Sequence, residues 1–336
     1  MPFLAEFDAR WQDAAEYLDA LRRDLGEGRR LDLVPDYLTE QVALDEGTGM
    51  VIGPEAMGRA LAARLAALPG LTLQREDILW APSAENAFVA AQRFQSAARH
   101  DGQGLYGPPT GKMVRYTAMS ESWCVAGALR AEWLLRDETA ILEQIGISLE
   151  DGARMRLSQM PPLPPPPPAA VFSAVAAAPL IEKSREPEMP TPGNGNDDAW
   201  GHTLGDLVHR IMGGELSVIA RHYDAAAELF YPGAIVGAGP RDAEAFWLGL
   251  RAAFPSAEFR VHHLLGAEEP LSPPRAAIRW SLSGKHDGHG AFGAPSGAKV
   301  NILGLTHAEF GPDGLRREWT LYDQPGVMAQ ILRSAG

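Results

Sequence analysis

The chain has 336 residues, 46% of them hydrophobic, with 30 Lys+Arg against 43 Asp+Glu. A net charge of −13 argues against a nucleic-acid partner, because phosphate binding needs a basic surface. The single cysteine, Cys124, excludes an internal disulfide and any multi-cysteine metal site.

At about 100–200 residues per domain, the length suggests two domains. Residues 1–19 mix Glu6, Asp8, Asp13 and Glu16 with apolar side chains, which reads as a surface helix and not a secretory leader. A helix begins over 13–25, and a second, amphipathic one runs over 54–68 and stops at Pro69. Residues 88–97 alternate as a strand, 102–111 form a Gly/Pro-rich turn, and 112–126 form the next strand. Gly127 marks the following turn, and a short helix over 139–145 closes the set.

Between Asp151 and Asn196 the composition changes, with 11 of the 27 prolines falling there. Proline has no amide proton for helix or sheet, so this tract reads as an extended tether. Its apolar stretch, 169–180, is too short for a bilayer that needs about 20 residues. The expectation is therefore a chain that is cytoplasmic and not membrane-bound.

The elements then recur. Helices are expected at 206–212 and 241–254, strands at 276–283, 299–310 and 315–322, and a last helix at 326–332. A shift of 186 residues lays the second set on the first. His100-Asp101-Gly102 falls on His286-Asp287-Gly288, Gly107 and Pro109 on Gly293 and Pro295, Glu132-Trp133 on Glu318-Trp319, and Asp137 on Asp323. Arg93 meets Arg279, and Gly53-Pro54 meets Gly239-Pro240. The chain is a tandem duplication: domains at 1–150 and 197–336, joined by a proline-rich linker at 151–196. Helices before a mostly antiparallel sheet make each unit α+β.

The H-x-G-x-[YF]-G-x-P-[TS]-G turn, the R-x-E-W-x-x-x-D strand and the terminal helix carrying Gln-Ile together resemble the SnoaL-like polyketide cyclases, or ester cyclases, of the nuclear-transport-factor-2-like superfamily. The resemblance implies two cone-shaped α+β barrels, each with a pocket at one end. It also implies ring-closing chemistry without metal or cofactor, and a general acid/base at Asp137 and at Asp323. A carboxyl in an apolar pocket loses hydration, so its neutral form is favoured and its pKa rises toward working pH.

Strand alternation puts Trp133, Leu135 and Asp137 on one face, as it does Trp319, Leu321 and Asp323. His100, Tyr116, Trp123 and Trp133 in the first unit, with His286, His307, Trp280 and Trp319 in the second, complete the expected ligand-binding set. Glu132 and Glu318 are expected to face the other side, in salt bridges. Both aspartates also precede helices, so an N-cap role stays open beside the catalytic one.

In some relatives a histidine fourteen residues before the aspartate supports it. Here those positions hold Trp123 and Glu309, and Glu121 and His307 are the available substitutes. A metal at His286, His289 and His307 is not expected, because the spacing lies on a Gly-rich turn. Two function classes follow: a cofactor-free cyclase-like enzyme on a small hydrophobic carbonyl or ester, or a small-molecule-binding module without chemistry. The two units are expected to dock on each other as an internal pseudo-dimer.

Overall fold

A computed structural model describes residues 4, 7–8, 10–47, 49–159 and 189–335. The proline run at 161–168 therefore lies outside the described residues. The first unit contains α1 (Ala14–Arg22), α2 (Val34–Tyr37), β1 (Leu38–Asp45), β2 (Met50–Ile52), α3 (Pro54–Ala67), β3 (Thr72–Ala84), β4 (Ala87–Arg99), β5 (Met113–Val125), β6 (Ala128–Arg136), α4 (Glu138–Ile145) and α5 (Leu149–Gln159). The second contains α6 (Ala199–Met212), α7 (Ser217–His222), β7 (Tyr223–Tyr231), β8 (Ile235–Ala238), α8 (Gly239–Ala253), β9 (Glu258–Ala267), β10 (Arg275–Lys285), β11 (Lys299–Gly311), β12 (Gly314–Tyr322) and α9 (Gln324–Ala335).

The two sheets share one topology. Their strand orders are β2-β1-β6-β5-β4-β3 and β8-β7-β12-β11-β10-β9. All pairings are antiparallel except β1 with β6 and β7 with β12. Each sheet is curved and open, with free edges, and does not close into the barrel expected from the sequence. Two strands also come between helices, so the reading of helices first and strands afterwards is corrected. Among the described residues no helix is long and apolar enough to cross a membrane.

Local chemistry explains the repeated motifs. The first helix of each unit is capped by an aspartate: Asp13 accepts from the Glu16 amide at 2.8 Å, and Asp198 from that of Trp200 at 2.8 Å. His100 holds the turn after β4, its Nδ1 3.1 Å from Thr110 Oγ1, and His286 does the same with Ser296 at 3.1 Å. The glycine after each His-Asp pair lies against the preceding helix. A Cβ on Gly102 would stand 1.6 Å from the Ala66 carbonyl oxygen, and one on Gly288 2.0 Å from that of Ala252. The His-Asp-Gly turn is thus a device for packing backbone on backbone.

The two outer sheet faces meet. Met119, Trp133 and Leu135 pack with Leu303, Leu305, Trp319 and Leu321 in one apolar cluster. A second cluster joins Leu79 and Val89 to Leu265 and Ala277. At one end α5 packs on α9 of the other unit. Residues 151–159, read from sequence as the start of the tether, form most of α5.

Candidate functional site

The inner faces of the two sheets differ. In the second unit one continuous apolar cluster fills the space between sheet and helices. Trp247, Trp280 and Phe254 are fully buried there, the two indoles 6.0 Å apart. In the first unit the buried apolar side chains fall into two clusters, one around Tyr17 and Phe88 and one around Leu68 and Ile141. A cavity of about 100 Å³ lies on the inner face of the first unit's sheet, bounded by α1, α3, β1, β4, β5 and β6. That is room for a small organic molecule and not a single water.

Alternation on β6 sends Glu132, Leu134 and Arg136 into this cavity. Leu21, Arg22 and the following π-helical turn, Arg23–Glu27, close another side through Leu25 and Gly26. Such turns recur at functional sites because the extra residue re-aims side chains. The matching part of α6 remains a regular α-helix.

The charged groups on the cavity wall are paired, while Arg22 Nε is buried without a hydrogen-bond partner. Arg22 forms an ion pair with Glu132 and donates to Ser120 Oγ at 3.1 Å. Ser122 Oγ donates to Glu132 at 3.3 Å. Arg136 pairs with Glu46; burial alone would raise the Glu46 carboxyl, but Arg136 and Arg64 together lower it. Arg64, also on the wall, binds Glu138 at 2.9 Å and donates to Tyr106. Burial opposes ionisation of Glu138, yet Arg64 and then Arg156 hold it at about 2. Burial also raises the Tyr116 hydroxyl, which lies at the cavity edge.

The 186-residue shift shows why the second unit has no such space. Arg22, Arg64, Arg136 and Tyr116 correspond to Val208, Leu250, Tyr322 and Ile302, all in its apolar core. Leu61 and Phe94 correspond to Trp247 and Trp280. The equivalent of Glu132, Glu318, is fully buried and accepts from Tyr223 at 2.6 Å. Burial raises its carboxyl, and the tyrosine bond opposes this only in part.

Of the residues singled out by sequence, Tyr116 lines the cavity. Trp133 and Trp319 do share a face with Leu135 and Leu321, but it is the outer face, against the other unit. Trp123 packs on that same junction. Trp280 is core, its Nε1 donating to Thr306 Oγ1 at 3.0 Å. His100 and His286 pin their turns. His307 is buried on β11 beside Trp319, and burial, then Arg93, push its imidazole down to about 3.

Asp137 caps α4 and reaches across to the other unit. Its Oδ1 accepts from the amides of Ala140 at 3.0 Å and Gly233 at 2.8 Å, and its Oδ2 from Ala234 at 2.8 Å. Burial raises its carboxyl and these donors lower it, with burial the larger. It also borders a second cavity, of about 190 Å³, between the units, with Phe230, Trp319 and Leu321. Asp323 caps α9 through Gly326 at 3.2 Å and is held by Arg156 at 3.2 Å; burial raises it and Arg156 opposes.

Sequence reasoning missed Glu132, Arg22, Arg64 and Arg136 as cavity residues. The available signal was the shift itself: the first unit carries arginine at three positions where the second carries Val, Leu and Tyr.

Among solved structures, a SnoaL-like polyketide cyclase from Agrobacterium tumefaciens is 18% identical, over 40% of this chain and 100% of that one, with a TM-score of 0.32. TsrD from Streptomyces laurentii is 19% identical, over 40% of this chain and 98% of that one, with a TM-score of 0.34. No curated protein matches the chain. The SnoaL-like polyketide cyclase family model matches residues 214–331. That span covers most of the second unit, which stands beside a first unit built on the same strand order.

Proposed function

We propose that the first unit's cavity is the reaction site of a cofactor-independent, cyclase-like enzyme, with Glu132 as acid/base and Arg22 as its partner. The observation that carries this is a carboxylate on an apolar cavity wall, paired to a guanidinium. The substrate class is a small hydrophobic carbonyl or ester. Glu132 takes a proton from the carbon next to a carbonyl, and the C–H electron pair moves to the carbonyl oxygen as an enolate. The enolate carbon attacks a second carbonyl, forming a C–C bond. The new alkoxide then recovers the proton from Glu132. In this reading Arg22, paired to Glu132, stabilises the charged intermediates.

Turnover of a panel of small aromatic diketones and β-keto esters by the full chain tests this. Glu132→Gln is expected to lower kcat by about 10²–10⁴. Unchanged turnover removes Glu132 from the mechanism. Saturable ligand-induced stabilisation with no turnover of any panel member favours the binding-module reading instead.

A second reading keeps Asp137 as the acid/base, at the cavity between the units. Its raised carboxyl and its Trp319 and Leu321 neighbours favour it. The three backbone donors on its two oxygens weigh against it, because a carboxylate so occupied has little capacity left for a substrate proton.

The two units are also read as an internal pseudo-twofold pair. Support comes from reciprocal contacts: Arg93 of the first unit lies over Trp319 of the second, and its counterpart Arg279 lies over Trp133.

A further inference from the structure

Two buried polar centres lie in the contact between the sheets, and the 186-residue shift relates them. In one, Glu121 of the first unit accepts from Arg279 Nε at 2.8 Å and meets His263 Nδ1 at 3.0 Å, both from the second unit. The other centre holds the shifted counterparts: His307 in place of Glu121, Arg93 in place of Arg279, and Asp77 in place of His263. There Asp77 is paired by Arg275 of the second unit, and Arg93 by Glu76 at 3.0 Å and Glu309 at 4.0 Å. The duplicated surfaces have therefore exchanged residue types at two positions. The first unit supplies acids where the second supplies histidines.

We infer that this exchange codes the pairing, so that a first unit accepts a second unit and rejects a copy of itself. A pair of two first units would bring Glu121 and Asp77 together around a single Arg93, in each of two buried centres. Two carboxylates would then share one guanidinium away from water. A pair of two second units would remove Glu121, leaving the buried Arg279 Nε and His263 Nδ1 without their acceptor. Only the mixed pair gives each buried carboxylate its own guanidinium, Glu121 to Arg279 and Asp77 to Arg275, and leaves Arg279 Nε and His263 Nδ1 with an acceptor. The central tryptophans and leucines of the junction do not discriminate, since Leu135 corresponds to Leu321 and Trp133 to Trp319. Specificity then resides in the penalty on the wrong pairs. The inference uses no residue of the first unit's cavity and is independent of the cyclase reading.

The test starts from the folded full chain with a protease site introduced between residues 160 and 188. After cutting, native mass spectrometry follows the halves through a week at micromolar concentration. One-to-one assemblies of first and second halves are expected throughout. Homodimers of either half in statistical proportion, or halves that separate as monomers, overturn the inference. Glu121→His should speed dissociation of the cut halves at least tenfold. Adding His263→Glu restores the acid–imidazole pair in inverted order, beside Arg279 on the adjacent strand, and should recover most of the loss. Equal dissociation rates for the single and double variants overturn the code. The milder Glu121→Gln serves the same reading if Glu121→His fails to fold.

Discussion

The guanidinium carbon of Arg279 lies 3.7 Å from the centre of the Trp133 ring, and the two residues come from different units. The shifted counterparts repeat the contact, Arg93 lying 3.5 Å from the centre of the Trp319 ring. Each unit thus gives the other a cation and receives one on its own indole. Desolvated contacts of this kind are worth about 2 kcal/mol each, beyond the apolar area they cover.

Trp133→Ala should therefore destabilise the whole chain and not only the first unit. Loss of the buried ring is expected to cost about 3–5 kcal/mol. Urea unfolding read by circular dichroism checks this. The wild type is expected to unfold in one transition, and the variant in two as the units lose their coupling. A variant with an unchanged midpoint would show that the contact stabilises nothing.

Much of this architecture is legible in the sequence, because duplication leaves its own record. The register of Arg93 on Arg279 and Asp137 on Asp323 places equivalent elements in both units. The strands beginning at Leu38 and Thr72 are harder to read. Residues 72–76 are Thr-Leu-Gln-Arg-Glu, mostly polar because that part of β3 is a largely exposed sheet edge. Alternation correctly groups Trp133 with Leu135 and Glu132 with Leu134. It does not say which group faces inward when both faces of a sheet are covered. A tryptophan face looks like a pocket wall, yet here it is the junction, and the acid-and-arginine face lines the cavity. The arginines at 22, 64 and 136 are far apart in sequence, and only the fold brings them to one cavity.

The contrast between the two inner faces gives a reciprocal pair of substitutions. Leu61→Trp copies Trp247 into the first unit and should fill its cavity. Thermal stabilisation by the same panel of aromatic ketones should then vanish, with the melting temperature of the free protein within a few degrees of wild type. In the other direction, Trp247→Leu removes a fully buried ring from a packed core. It should cost about 3 kcal/mol or more while leaving ligand response in the first unit intact. Ligand response that survives Leu61→Trp would place the binding site elsewhere.

Acid should loosen the junction between the units. The His307 imidazole is pushed down to about 3, by burial first and then by Arg93. An unfolded chain protonates this ring near 6.5, whereas the folded chain resists until about 3, so stability present above 6.5 is lost as pH falls toward 3. Glu121 adds to the same trend at lower pH. Burial alone would raise it, but Arg279 and His263 hold it at about 2 against an ordinary 4.5, so its contribution is lost as pH falls from 4.5 through 2. The raised carboxyls of Asp137, Asp323 and Glu318 act in the opposite sense, their contribution being lost as pH rises. Urea midpoints taken from pH 7 to 4 should fall steadily, and His307→Asn should flatten the upper part of that curve. An equal slope in the variant would assign the acid sensitivity to other groups.

Asp137 offers the cleanest separation of a structural from a catalytic role. Its two oxygens take three backbone amides, two of them from the turn after β7 in the other unit. Asn in its place keeps one acceptor oxygen and turns an N–H₂ group toward amide donors that need an acceptor. Asp137→Asn should lose about 1–3 kcal/mol of stability through those unmet donors. If the cavity of the first unit is the reaction site, kcat for any turned-over panel substrate should stay within a factor of about three at a temperature where the variant is folded, since that loss lies far outside the range of acid/base removal. A fall of a hundredfold or more with little change in the urea midpoint would instead move the chemistry to the junction cavity, and Glu132→Gln in parallel would then leave turnover intact.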